Sequence, residues 1–406
     1  MEDLSERLRF IVRHAYANAP AVRGILEQAG LEPDDIKNLE DLGKIPVTSK
    51  DELAKRQAAD PPFGGFLAVP LVQLEHVFLS PGPLYEPHAG ETALYETIET
   101  ILTIAGFQSG DVALNAFGYH LIPTGLAMDE VLRRSGITVI PAGVGNAELQ
   151  IKMMVDLGVT AFVGTPSWLM ALLEKSGEMG VDFHEVVSLR KALVSAEPLP
   201  QAMRQTFEET YNLSITNAYG TAELGFLAFN TTGGLAMRLL ETSIIEVVNP
   251  ETGKPVAAGE VGEVVVTSFN ETYPLIRLGT GDMAMNVDPN PGKSRQGERS
   301  IILVGRLGEA VKVRGMFVHP NQLRFAMAQL QGIARYQAVV SHTENRDQLT
   351  IRLALADEAA DHQKLSSDLV SAVQSACRVK VDQIEFVSSG EIGENAPLIV
   401  DERAWD

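Results

Sequence analysis

The sequence predicts an α/β protein: a large N-terminal domain with mainly parallel sheets and a β-rich subdomain, then a small α+β C-terminal domain. Three observations point there. Between residues 112 and 219, short apolar runs alternate with helix-length amphipathic segments, as in parallel strands joined by crossover helices. From Ile244 onward the runs are separated by turn-rich segments instead, and the last ninety or so residues carry a strand-and-helix alternation of their own. At 406 residues the chain is also longer than one ordinary core serves.

Taken in order, Leu4, Leu8, Ile11 and Ala15 recur at helical spacing. Pro20 stands near a second helix start, and Gly30 closes that helix. Thr48-Ser49-Lys50-Asp51-Glu52 is a further start signal. Residues 74–79 read as a strand ending at Ser80-Pro81-Gly82-Pro83. Strands then follow at 112–117, 137–140, 161–163, 192–195 and 215–219, with helices at 123–134, 147–157, 167–175 and 200–211 between them. Such sheets hold ligands beyond the strand C-termini. Three of those ends are Thr165-Pro166-Ser167, Ser195-Ala196-Glu197-Pro198 and Tyr219-Gly220-Thr221-Ala222-Glu223. Residues 244–248 and 263–267 flank a turn-rich segment and read as a hairpin.

The stretch from Leu278 to Pro320 organises the rest. It offers a Thr280-Gly281-Asp282 turn, a strand at 300–304, a Gly305-Arg306 turn and a basic turn with Lys312, Arg314 and Gly315. A carboxylate, two arginines and a lysine on turns at strand ends suit a polar ligand. Beyond it, strands are expected at 336–341, 349–354 and 379–387 and a helix at 359–377. The boundary is placed at the charged turn near Gly308, giving domains 1–307 and 308–406.

Composition narrows the function classes. With 45% hydrophobic and 21% charged residues the chain is globular rather than disordered. A formal net charge of −20 argues against nucleic acid or an anionic membrane as partner. Cys377 is the only cysteine, which excludes intramolecular disulfides and fits a reducing compartment. MEDLSERLRF has no signal-peptide core, and no apolar run reaches membrane-helix length, so a cytoplasmic location is expected. The eight histidines show no HxxxH or HExxH spacing, and no G-x-S-x-G surrounds Ser80, Ser167 or Ser195.

Read singly, Glu223 follows a glycine turn at a strand end, where a carboxylate suits Mg²⁺ bridged to phosphate; the plain alternative is a solvated loop glutamate. Asp282 suits a ribose diol or a simple Asx turn. Arg306 and Lys312 suit phosphate or diol oxygens, or are ordinary surface charges.

Together, YGTAE, TGD and GRLGEAVKVRG, in this order and at these separations, resemble the adenylate-forming superfamily of acyl-CoA synthetases. RGMFVHP, ERLRFIVRHAYANAP, IPVTSKDEL and FGYHLIPTGL are similar to its phenylacetate–CoA ligase branch. The resemblance implies activation of an aromatic or other small carboxylate with ATP and Mg²⁺ to an acyl-AMP, then transfer to CoA. By position, it implies that Glu223 binds Mg²⁺, Thr221 contacts phosphate, and Asp282 holds the ribose with help from Arg306; Glu223, Thr221 and Arg306 form the implied catalytic set. Ser195, Ala196, Glu197 and Pro198 match the segment along the adenine, with Tyr219, Gly220 and Lys312 completing the nucleotide contacts. Phe117, Tyr119 and His120 fall where the branch lines its acyl or aryl pocket, and Glu309 lies near the hinge of a mobile C-terminal domain. Dimers are common in that branch, so a homodimer is a further expectation.

Two departures stand out. The family's phosphate loop is close to SSGTTGKP, but here the place reads Ser80-Pro81-Gly82-Pro83-Leu84-Tyr85-Glu86-Pro87. Its prolines remove N–H donors, and Glu86 reverses the charge of the expected lysine. The family's C-terminal lysine is also missing: none follows Lys380, Asn395 aligns nearest to its place, and Arg403 is a poor substitute for a mobile point charge. Two readings follow. One is a ligase with a rewired phosphate site, using Lys50, Lys254, Lys293 or Lys312. The other is a non-catalytic or ATP-independent paralogue that binds AMP, acyl-adenylate or acyl-CoA.

Overall fold

In the computed structural model, the described residues are 4–403 apart from 81–83, 91, 182, 184–186, 315, 344–345, 357–360, 389 and 394–395. They fall into two compact units, one of residues 1–246, 265–280 and 287–302, the other of 247–264, 281–286 and 303–406.

The first unit begins with helices Leu4–Asn18 and Pro20–Gln28, which bury Leu8, Ile11, Val12, Val22 and Leu26. Strand β1 (Thr48–Ser49) leads into helix Lys50–Ala59, whose first turn is capped by the Ser49 hydroxyl accepting from the Glu52 amide at 3.1 Å. Strands β2 (His76–Ser80) and β3 (Leu84–His88) form an antiparallel pair. The sequence suggested the first of these but not the second, because Pro87 masks the strand pattern.

Strands β4 (Val112–Asn115), β5 (Thr138–Pro141), β6 (Ala161–Gly164), β7 (Lys191–Val194) and β8 (Ser214–Thr221) lie side by side in the order β5-β4-β6-β7-β8, all parallel. The crossover helices Pro123–Arg134, Ala147–Asp156 and Pro166–Glu178 match the expected segments to within three residues at each end. Proline opens two of them, where its missing N–H costs no helical bond. The expected helix at 200–211 is a short α segment, Gln201–Gln205, continued by a π turn at Thr206–Thr210. Alternate residues of these strands feed two apolar cores: Ala113, Val163 and Leu193 join one, while Leu114, Phe162, Ala192 and Val194 join the other. Burial on both faces is what near-continuous apolar strands require. The sheet continues antiparallel through β9 (Gly225–Asn230), β10 (Met237–Leu239) and residues 300–301.

Strands β11 (Ile244–Val248), β12 (Val261–Thr267), β13 (Leu278–Val287) and β14 (Ser300–Arg306) each have residues in both units. Thr280-Gly281-Asp282, expected as a turn, lies inside β13. Gly281 has a φ of 74°, so the chain bends there without leaving the strand, which only glycine does without strain.

The second unit carries the hairpin β15 (Val311–Val313) and β16 (Met316–Val318), then a four-stranded sheet. Its order is β19-β18-β17-β20, from β17 (Ile333–Thr343), β18 (Arg346–Leu355), β19 (Gln383–Phe386) and β20 (Ile399–Asp401). Helices Pro320–Met327 and His362–Cys377 pack on it through Leu323, Leu369 and Val373, against Val340, Leu349 and Leu353. This is the small α+β domain that the sequence implied. Among the described residues, no helix is long and apolar enough to cross a membrane.

Candidate active site

The parallel strands set three candidate segments at the C-terminal ends of β4, β7 and β8. After β4, Phe117 is buried in the apolar core and His120 is exposed. Between them, the Tyr119 hydroxyl accepts from the Asn115 amide at 2.8 Å and donates to Asp129 at 3.2 Å. Burial and the Asp129 carboxylate push its phenol up, so it stays neutral. After β7, the Ser195 hydroxyl donates to the Ala218 carbonyl at 2.7 Å and fixes the strand end to β8. Ala196, Glu197 and Pro198 then turn out to solvent, with Ala196 at φ 71°. A left-handed alanine is strained and marks a segment whose shape matters.

At the end of β8, Tyr219 is buried, and its hydroxyl lies 3.5 Å from Thr280 Oγ1. A Cβ on Gly220 would sit 2.4 Å from the Gly225 carbonyl oxygen, a backbone-on-backbone clash. Gly220→Ala is therefore expected to lower stability by about 1–3 kcal/mol and displace Thr221 and Glu223. Urea melts check this, and an unchanged midpoint would show that the close approach constrains nothing.

The Thr221 Oγ1 atom is buried with no hydrogen-bond partner among the described residues. An orphan hydroxyl at a strand end suits an incoming acceptor. The Glu223 side chain is only 3% exposed and takes the Lys50 ammonium on both oxygens, at 2.9 and 3.1 Å. Glu223 and Glu86 line one small cavity of about 30 Å³, together with His88, Thr242, Ser243 and Tyr273. The hydroxyls of Thr242 and Ser243 are buried there without partners among the described residues. Burial, with His76 nearby, pushes His88 down to about 4, so it is uncharged at neutral pH. Burial likewise pushes the Tyr273 phenol up, reinforced by Glu86 and Glu223.

The sequence reading missed Gln57. Its amide nitrogen donates to the Tyr85 carbonyl at 2.8 Å and to the Tyr273 hydroxyl at 2.9 Å, and its oxygen accepts from the Tyr85 amide at 2.8 Å. Lys50, Leu53 and Gln57 are spaced for one helix face, which is the signal that would have found it.

In the second unit, Arg306 Nη1 donates to Asp282 Oδ1 at 2.7 Å, joining two residues 24 apart in sequence. Glu263, also missed, accepts the Gly281 amide at 3.0 Å and so fixes the bend in β13 that presents Asp282. Burial raises the Glu263 carboxyl, helped by the neighbouring Asp282 charge. Lys312 is paired with Glu251. Glu309 lies 3.0 Å from Nε2 of the fully buried His319. Arg403 is held by Asp401 and by Asp347 at 3.0 Å, with its side chain 6% exposed, which makes it unsuited to moving. Asn395 lies outside the described residues.

No group of three or more His, Cys, Asp or Glu side chains is arranged to hold a metal ion among the described residues. A Mg²⁺ that keeps its waters and substrate phosphates needs only one or two carboxylates. Glu223, backed by the orphan Thr221 hydroxyl, fits that modest requirement.

A family model described as AMP-binding enzyme matches residues 103–270, and one described as AMP-binding enzyme C-terminal domain matches 315–403. The phenylacetate-coenzyme A ligase of Escherichia coli is 31% identical, over 87% of this chain and 82% of its own length. That of Thermus thermophilus is 30% identical, over 90% and 84%. Among solved structures, an open conformation of 2-hydroxyisobutyryl-CoA ligase in complex with 2-HIB-AMP and CoA superposes with a TM-score of 0.84 at 24% identity, covering 98% of this chain and 91% of that one. The chain belongs to the phenylacetate–CoA ligase family of AMP-binding enzymes.

Proposed function

We infer that this chain is an AMP-forming acid–CoA ligase. It joins an aromatic or other small carboxylate to ATP as an acyl-AMP with release of pyrophosphate, then transfers the acyl group to the CoA sulfur with release of AMP. The observation that carries this reading is the Arg306–Asp282 pair at 2.7 Å, because a fixed carboxylate with a guanidinium beside it is built to accept both hydroxyls of a ribose diol.

In this reading the Asp282 oxygens accept the diol, and Arg306 keeps that carboxylate oriented. The Thr221 hydroxyl, buried and without a partner among the described residues, donates to a phosphate oxygen. Residues 195–198, Tyr219 and Gly220 shape the adenine contact, and Lys312 is a further polar contact. Phe117, Tyr119 and His120 border the acyl pocket. Glu223 would hold Mg²⁺, which when bound neutralises phosphate charge as pyrophosphate leaves. The division into 1–307 and a mobile 308–406, the cytoplasmic location and the homodimer belong to the same proposal and rest on the resemblance. The non-catalytic paralogue is the less favoured reading, since the likeness to ligases spans most of the chain.

The test is pyrophosphate release and thioester formation with ATP, Mg²⁺, CoA and a carboxylate panel that includes phenylacetate. Carboxylate-dependent release is expected. No release with any acid, alongside clear AMP binding by calorimetry, would overturn the ligase in favour of the paralogue.

A further inference from the structure

The loop at 80–87 offers no lysine, so the charge for the outer phosphates must come from elsewhere in the chain. Of the four lysines open from the sequence, Lys254 and Lys293 are exposed. Lys312 is bound to Glu251. Lys50 lies in the same unit as the strand-end cluster and places its ammonium on both oxygens of Glu223.

Its place is well fixed. Lys50 opens a helix capped by Ser49, and the preceding strand pairs Thr48 with Leu278 and Ser49 with Gly279. Two turns along, Gln57 clamps the Tyr85 backbone and the Tyr273 hydroxyl. The side chain is 26% exposed, so the ammonium is partly desolvated yet reachable. The same helix thus sets a cation on Glu223 and holds the strand that carries Glu86, the charge-reversed position.

We propose that Lys50 is the phosphate-side cation of this protein, binding the β- and γ-phosphates of ATP and inorganic pyrophosphate in place of the missing loop lysine. The proposal rests on the ligase reading above and deepens it. In the resting protein the ammonium sits on Glu223. Glu223 would hold a divalent cation that neutralises phosphate charge, and the Lys50 ammonium beside it would then be available to the phosphate oxygens. Lys50 is then a catalytic residue in the strict sense, because it touches substrate.

The test is calorimetry on the full chain with ATP, pyrophosphate and AMP. Lys50→Gln is expected to weaken ATP and pyrophosphate about tenfold or more, as charge-assisted bonds to phosphate are lost, while AMP changes by less than about twofold. Lys50→Arg should recover part of the loss. Because Lys50→Gln also bares a buried carboxylate, a second set guards against misfolding. With pyrophosphate in EDTA, Glu223→Gln should bind more tightly than wild type, since it frees the ammonium, and adding Lys50→Gln should remove that gain. A gain that persists in the double variant, or equal losses of AMP and ATP affinity in Lys50→Gln, would overturn the proposal. Thioester formation by wild type with ATP and pyrophosphate binding unchanged in Lys50→Gln overturns it alone. A wild type that binds neither ATP nor pyrophosphate overturns it together with the ligase reading.

Discussion

Asp282→Ala is expected to lose about 100-fold or more in AMP affinity while melting close to wild type. The Asp282 carboxylate is the acceptor that a ribose diol needs, and two hydrogen bonds to a charged group contribute about 1.5–3 kcal/mol each. At about 1.4 kcal/mol per tenfold, that loss falls in the range of two decades or more. Stability should hardly move. Arg306, the partner of Asp282, is 60% exposed, and exposed ion pairs contribute about 0–1 kcal/mol. The separation of the two effects is what makes the variant informative. Calorimetry beside a melting curve reads both, and unchanged affinity would remove Asp282 from the nucleotide site altogether.

The largest effect on stability is expected at Arg277, which no motif singles out. Its side chain is 1% exposed, and its guanidinium meets both oxygens of Glu246 at 2.9 and 3.1 Å and also donates to the Ile45 carbonyl. Removing one partner of a buried pair strands the other charge, at a cost of about 3–5 kcal/mol. Arg277→Met should therefore unfold at clearly lower urea than wild type.

The pH dependence has a definite sign. Burial already raises the Glu246 carboxyl, against the lowering by Arg277 and Arg299. Without Arg277 it rises further, so the folded variant holds a proton that the unfolded chain gives up. A raised folded pKa means that stability is present at low pH and lost as pH climbs through that value. The deficit of Arg277→Met against wild type should thus be smaller near pH 5 than near pH 8. A deficit independent of pH would show that Glu246 is not left carrying the cost.

The parallel sheet was readable because its strands are buried on both faces and its crossover helices keep a clean apolar stripe. Residues 112–115, 161–164 and 191–194 fall where the apolar runs put them. The Asp282–Arg306 pairing was also legible, as an implication of the family resemblance rather than of the residues taken singly. What escaped has a common cause. Strand β3 hides behind Pro87, and the position of Thr280-Gly281-Asp282 inside β13 hides behind a glycine that usually means a turn. Gln57, Glu263 and Tyr273 act through partners distant in sequence, and no local period reveals such pairs. Lys50 was one of four lysines on paper, and only its placement against Glu223 separates it from the rest.

The Gln57 clamp couples two segments of the first unit. Helix Lys50–Ala59 and strand Leu84–His88 are tied through Gln57, so a shift of either segment is transmitted to the other. Exchanging residues 80–87 alone would disturb the Tyr85 backbone on which Gln57 closes, and with it the helix that carries Lys50. A working chimera would have to exchange both segments together.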